Sequence, residues 1–395
     1  MGKLMRMCLA ARLAALLVPS LLCLPAIFAQ TNPPPFDPHE MVTREPRTLS
    51  RVADRKVALD LLDRTRQNYN LRDITTPYEL KVSFETNGAA QSEGAGAMDE
   101  VSDGGSHWRW TAELQGVHVT RIGSDGRVYG TNASEPVPLR VQMVRAALHW
   151  PIARNASASA IRAEEVERDG KAMSCLLLSG AIPPNPAPRS WVENEYCVEA
   201  ATGLLQMWSE APGIYIVYDY SGAAVFHGHI LPRQIFIFED GRLTVTAHVD
   251  SLEDARELDA NLFKPAPEMV EAGGSFALTS PNRFPMRVDP SDAPTSTFFQ
   301  PVIVHAILDA QDGRVLDAET LQNSDKDLSR AAMDLVKSTS FPASGFQQEV
   351  FINVQFHLPA MVVGGPPTLN VPVVWVVSDG HKAPPVRKPP SRSGS

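Results

Sequence analysis

Little in this chain points to catalysis. Its 395 residues contain no Gly-x-Ser-x-Gly nucleophile elbow, no His-Glu-x-x-His helix and no glycine loop that opens a helix to cradle phosphate. Positive charge is in deficit: 36 Lys and Arg face 45 Asp and Glu, for a formal net charge of −9. Such a chain repels phosphate backbones, which argues against nucleic acid as a partner. Beyond the amino terminus no apolar run approaches the roughly 20 residues that a membrane-spanning helix needs. Cysteine is scarce too, with four in all, of which Cys8 and Cys23 fall in the first thirty residues.

Those first residues have a recognisable layout. Lys3, Arg6 and Arg12 precede an apolar run from Leu13 to Phe28, and the small residue Ala29 follows. This is the three-part pattern of a secretory signal over residues 1–29. Pro19 and Pro25 interrupt the run and favour a cleaved signal over a retained anchor. Ser20-Leu21-Leu22 lacks the small residue a lipid-attachment site wants before its Cys, so Cys23 is not expected to carry lipid. The expected location is periplasmic or secreted, with association to the outer membrane as a further option and no transmembrane segment after cleavage. Cleavage removes three positive charges and takes the net charge to about −12.

Export leaves Cys175 and Cys197 as a pair in an oxidising compartment, where bonding is the usual outcome. Cys175 lies in AMSCLLLSG and Cys197 in ENEYCVEA, with the Pro-rich IPPNPAPR between them, so a bridge joins consecutive strands. It adds about 3 kcal/mol by restricting the unfolded chain. A reactive thiol needs a basic neighbour to lower its pKa, and neither segment supplies one.

The chain length suggests two domains. Residues 30–48 are Pro-rich and polar and read as a tether. From Ser50 to Asn70, Val57, Ala58, Leu61, Leu62 and Tyr69 recur at helical spacing, with Ser50 as a cap and Asn70 as a stop. The period then changes. Tyr78, Leu80, Val82 and Phe84 alternate with polar residues, and Trp108, Trp110, Ala112 and Leu114 repeat the pattern. More strands are expected at 117–122, 161–168, 173–178, 191–198 and 204–209, with a short Pro-led helix in PLRVQMVRAALHW. GIYIVYDYSG and LPRQIFIFEDG are apolar on both faces, setting Ile216, Tyr218, Ile235 and Ile237 against Tyr215, Val217, Phe236 and Phe238. Strands of that kind are covered on both sides. Composition alone leaves open whether one face lines a pocket or both fill a core, and leans to the filled core.

The first domain spans 49–270, and residues 271–299 read as a linker. A second unit, 300–358, has a hairpin turning at Gln311-Asp312-Gly313, a helix capped by Ser324 with Leu328, Ala331, Ala332, Leu335 and Val336 on one stripe, and a final strand, EVFINVQFHL. Residues 359–395 form a Pro-rich tail, expected to be mostly disordered. Within it, the segment 362–377 either adds to a partner's sheet edge or is a spare strand of the second unit. The fold class is therefore α+β, with an antiparallel sheet packed on helices plus a small ββαβ unit.

Other chemistry is thin. His227-Gly228-His229 puts two imidazoles on one face of an extended segment, but no further metal ligand is suggested by spacing, so exposed loop histidines are expected and no metal or cofactor. GAGAMDEVSDGG, with Asp99, Glu100 and Asp103, reads as a solvated acidic hairpin loop.

Two resemblances follow from the motifs. EYCVEAATGLLQMWSE, VYDYSG, HILPRQIFIFEDG and LDANLFKPAPEM resemble the end of the LolA/LolB-like lipoprotein-carrier half-barrel, with its Thr-Gly-Leu turn, Leu-Pro strand start and Asp-x-x-Leu-Phe exit. That resemblance implies a curved antiparallel half-barrel whose concave face holds lipid or lipoprotein acyl chains. The cavity would be lined by Tyr78, Leu80, Val82, Phe84, Trp108, Trp110, Ile216, Tyr218, Ile235 and Ile237. The second unit resembles the carboxy-terminal domain of TonB-type energy transducers in its hairpin, helix and final strand, its Asp312-Gly313 turn and its Ala331-Ala332 pair. It departs from them in lacking the Tyr-Pro start before Pro301 and the expected Trp near Thr339 and Ser340. The implied role is contact with an envelope protein partner, without energy transduction. The expectation is thus a non-enzymatic exported binding protein, or else an envelope scaffold with a filled core.

Overall fold

The computed structural model describes residues 33–38, 43, 45–87, 94–131, 137–149, 151–152, 158, 160–168, 170–179, 193–211, 213–239, 241–271, 279–287, 302–320, 326–341, 343, 347–356 and 368–378. The signal, the Pro-rich loop after Ser179 and the basic end of the tail lie outside them. Of the chain's two compact units, residues 33–395 form the one described below.

Most of this unit is antiparallel sheet, with three α-helices among the described residues. The strands are β1 (Arg47–Thr48), β2 (Tyr78–Thr86), β3 (Gly94–Ser102), β4 (Trp108–Leu114), β5 (Val117–Ser124), β6 (Arg127–Gly130) and β7 (Ala160–Arg168). They continue as β8 (Lys171–Ser179), β9 (Asn194–Glu199), β10 (Leu205–Ala211), β11 (Ile214–Asp219), β12 (Ala224–Phe226), β13 (His229–Leu231) and β14 (Gln234–Glu239). The last are β15 (Arg242–Asp254), β16 (Val270–Glu271), β17 (Thr279–Arg287), β18 (Val302–Leu308), β19 (Val315–Thr320), β20 (Gln348–Phe356) and β21 (Thr368–Ser378). The helices are α1 (Val52–Tyr69), α2 (Leu139–His149) and α3 (Lys326–Lys337).

Fourteen strands form one unclosed sheet in the order β1-β7-β8-β9-β10-β11-β14-β15-β2-β3-β4-β5-β6-β16. The period-2 pattern of β2 is obeyed residue by residue, alternately buried and exposed along its nine positions. β11 and β14, the two-faced strands, are buried at all six positions each. One face of β11 and β14, with Ile216, Tyr218, Ile235 and Ile237, joins the main core with α1 and α2. The other, with Tyr215, Val217, Phe236 and Phe238, joins a second cluster that contains Cys175, Cys197 and Phe36.

Helix α1 starts one residue later than its sequence suggests. Arg51, not Ser50, is the cap residue, without a capping side chain, while Asn70 ends the helix as expected. Helix α2 forms where a short Pro-led helix was expected, and all eleven of its residues are buried, Arg140, Arg145 and His149 included. A helix lying on a flat sheet leaves its outer side in water. This one is enclosed, reached by Glu100 on β3, Tyr218 on β11, Glu239 on β14 and Tyr69 on α1.

The Gly-rich stretch 94–102 is strand β3, paired along its whole length with β2, and not a loop. Its glycines serve close packing: a Cβ on Gly96 would strike the Phe84 ring and come within 2.7 Å of the Glu113 carbonyl. In the second unit, β18, β19, α3 and β20 supply the expected ββαβ order. Two further strands complete a five-stranded sheet, β17-β21-β20-β18-β19. β17 lies within the segment read as a linker, and β21 turns the 362–377 stretch into the spare strand that was one of its two readings.

Candidate functional site

The ten residues expected to line an acyl cavity come together on one face of the large sheet. Nine of them, Tyr78, Leu80, Val82, Phe84, Trp110, Ile216, Tyr218, Ile235 and Ile237, are no more than 4% exposed. All nine share one core cluster with Leu139, Val141, Val144, Ala147 and Leu148 of α2 and Leu62 and Tyr69 of α1, and Trp108 packs against it partly buried. These side chains thus belong to one buried cluster together with residues of both helices.

What holds α2 there is partly polar. Tyr69 donates from its hydroxyl to the Ala147 carbonyl at 2.5 Å, and Tyr218 reaches the same oxygen at 3.4 Å. Arg145 forks onto Glu100 at 2.8 and 3.2 Å, and His149 Nε2 lies 3.1 Å from the same carboxylate. Tyr78 donates to Glu100 at 3.3 Å. The guanidinium of Arg145 sits 4.5 Å from the Trp108 ring and 5.3 Å from the Trp110 ring, so both indoles stack on a cation of the protein itself. Burial on its own raises the Glu100 carboxyl, but Arg145 and then His149 outweigh it and hold the group at about 2. Burial lowers the His149 imidazole, with Arg145 adding to that effect, and it raises the Tyr78 phenol well above its ordinary value. Sequence reasoning placed Glu100 in a solvated loop. No local signal pairs it with Arg145, 45 residues further on.

Two other buried Arg–Glu pairs tie distant segments together. Arg140 forks onto Glu239 at 3.1 and 2.8 Å, and Arg162 onto Glu193 at 2.8 Å on both prongs. The cysteines form the expected bridge, Cys175 to Cys197, as direct cross-strand partners on β8 and β9 with a Cα–Cα distance of 4.0 Å.

His227 and His229 are not side by side on an extended segment. His227, at φ +48°, and Gly228, at φ +86°, make the turn between β12 and β13. His227 Nε2 then pairs with Asp254 at 2.6 Å. Among the described residues no three His, Cys, Asp or Glu side chains assemble as a metal site. Beside this hairpin an open surface pocket of about 770 Å³ is lined by Glu79, Phe226, Leu252, Glu253, Asp254, Arg256 and Glu257. It contains none of the ten cavity candidates except by neighbourhood: Glu79 precedes Leu80 on β2 and points to the opposite face.

No family model and no curated protein matches this chain. Among solved structures it is similar to a LolA superfamily protein from Nitrosomonas europaea, at 10% identity over 53% of this chain and 97% of that one, with a TM-score of 0.36. A DUF1329 family protein from Desulfovibrio piger gives 11% identity, coverages of 53% and 96%, and a TM-score of 0.35. The MucA/MucB complex of Pseudomonas aeruginosa gives 12%, 81% and 93%, and 0.27. Scores at this level define no family for the chain. What stands on its own geometry is an unclosed, mostly antiparallel sheet with few helices, one of them enclosed against its apolar face.

Proposed function

We propose that this chain is an exported cell-envelope binding protein that works through protein contacts, with the apolar face of its large sheet filled by its own helix α2. The observation that carries this reading is the complete burial of α2 against the nine cavity candidates. A disulfide fully buried between β8 and β9 supports an oxidising location. The TonB-like second unit is the proposed contact module. Its outer strand β19 offers unpaired backbone on one side, and Leu316 on it is 42% exposed. No catalytic role, cofactor or metal forms part of the proposal.

A carrier of acyl chains is the second reading, favoured by the polar joints that seat α2. If the helix swung out, water could take over its ion pairs and carbonyl hydrogen bonds and an acyl chain its apolar contacts. Burial of hydrocarbon gains about 25 cal/mol per Å², so a carrier's affinity would rise with chain length. Native mass spectrometry of the purified full chain, with a fluorescent fatty acid titrated in, separates the two. The filled-core reading expects an empty protein and no saturable binding; a stoichiometric lipid that displaces the probe would overturn it.

A further inference from the structure

The amino-terminal turn of α2 is capped from the other sheet. Helices leave their first amides unpaired, and those of a buried helix must find acceptors. Glu349, on β20, supplies one: its Oε2 accepts from the Leu139 amide at 2.6 Å, although the two residues are 210 positions apart. Its other oxygen, Oε1, lies 2.5 Å from Nε2 of His305 on β18, and His305 Nδ1 lies 3.3 Å from Glu319 Oε1 on β19. Beside Leu139, Arg140 carries the Glu239 pair from β14 and also feels Glu349 and Glu319. Ile303, on β18, belongs to the main core cluster of the large sheet. Four strands of two sheets and helix α2 thus meet at three carboxylates, one guanidinium and one imidazole.

The chemistry of the imidazole decides what this junction does. A neutral ring has one N–H and one lone pair, so it can satisfy one carboxylate while turning a lone pair towards the other. Only the imidazolium donates to Glu349 and Glu319 together. Charge leads to the same conclusion: Glu239, Glu319 and Glu349 outnumber Arg140 by two, and a protonated His305 halves that excess.

We propose that His305 is a proton-operated clasp that fastens the second unit to the capped end of α2, closed when the ring is doubly protonated and loosened when it is neutral. Among the described residues, the charged groups that face it include Glu349 from β20, Glu319 from β19, Glu239 from β14 and Arg140 from α2. Burial works against its charge, but Glu349, Glu319 and Glu239 together raise His305 above its ordinary value of 6.5. A raised folded value means that the clasp's contribution is complete below about 6.5 and drains away as pH climbs through that raised value. The clasp operates whether or not the large sheet ever takes a ligand.

Amide hydrogen exchange of the full chain tests it, with protection factors corrected for the intrinsic pH dependence of exchange. Protection at 139–141 is expected to fall about fivefold or more between pH 6 and pH 8, because Glu349 loses the imidazolium that holds it on the Leu139 amide and the cap weakens. Protection along α1 stays level over the same range. His305→Gln should abolish the pH dependence, and Glu349→Gln should lower protection at 139–141 at both pH values. His149 sits at the opposite end of α2, away from 139–141, so its own titration is read at other amides. Equal protection at pH 6 and pH 8 in the unaltered chain, or an undiminished pH dependence in His305→Gln, would overturn the proposal. Should His305→Gln fail to fold, an NMR titration of the unaltered chain decides: a His305 pKa above 6.5 supports the clasp, and one at or below 6.5 overturns it.

Discussion

Replacing Glu100 by Gln keeps the shape of the side chain and removes the negative charge that faces the buried Arg145 beside two indoles. The Glu100 and Arg145 side chains are 1% and 4% exposed, so water screens neither of them. Breaking a pair in that setting costs about 3–5 kcal/mol. The carboxyl itself gives a similar figure, since a fall from 4.5 to about 2 corresponds to about 3 kcal/mol of preference for the charged form. The sign follows from the depressed value: this stabilisation is present above about 4.5 and is lost as pH falls through about 2. His149, buried and lowered, acts in the same direction, because the unfolded chain takes up its proton at a higher pH than the fold does. Urea unfolding at pH 7, followed by Trp fluorescence, should show a loss of about 3 kcal/mol for Glu100→Gln at an unchanged slope. The slope of stability against pH below 4.5 should flatten in that variant. The double change Glu100→Leu with Arg145→Met removes both charges and should recover most of the loss. A loss below about 1 kcal/mol for Glu100→Gln, or a double variant no better than the single one, would refute the claim that this pair seats the helix.

Two further outcomes can be checked with simple measurements. A thiol count on the denatured, unreduced chain after signal cleavage should find no free cysteine, and Cys175→Ala with Cys197→Ala should cost about 3 kcal/mol in the same urea assay. Gly123→Ala puts a Cβ into the Trp108 indole, so it should cost about 1–3 kcal/mol and shift the Trp emission, while the exposed Gly126→Ala leaves the emission unchanged.

The parts of this fold legible in the sequence are those fixed by short-range rules. The alternation of β2, the two-faced burial of β11 and β14, the Asn70 stop and the cysteine pair all depend on spacing or on compartment. Three features escaped for physical reasons. β3 hid its alternation behind Gly94 and Gly96: a Cβ on Gly96 would meet the Phe84 ring and the Glu113 carbonyl, and Gly94, at φ +119°, lies against the Gln115 side chain. β17 contains Pro281 and Pro285, which read as linker composition yet are tolerated in the outermost strand of a sheet, where an N–H can go unpaired. The burial of α2 escaped because the partners of Arg145, Arg140 and the Leu139 amide, namely Glu100, Glu239 and Glu349, come from three separate strands. Long-range pairing of that kind leaves no trace in local periodicity.

The wide sheet begins and ends on β1 and β16, each only two residues long. Fourteen strands would ordinarily present a long ladder of open amides and carbonyls at each flank, onto which a neighbouring copy could zip. Stubs of this length offer almost nothing to nucleate such growth. An unusually broad sheet can thus end on strands that give a second copy little to pair with.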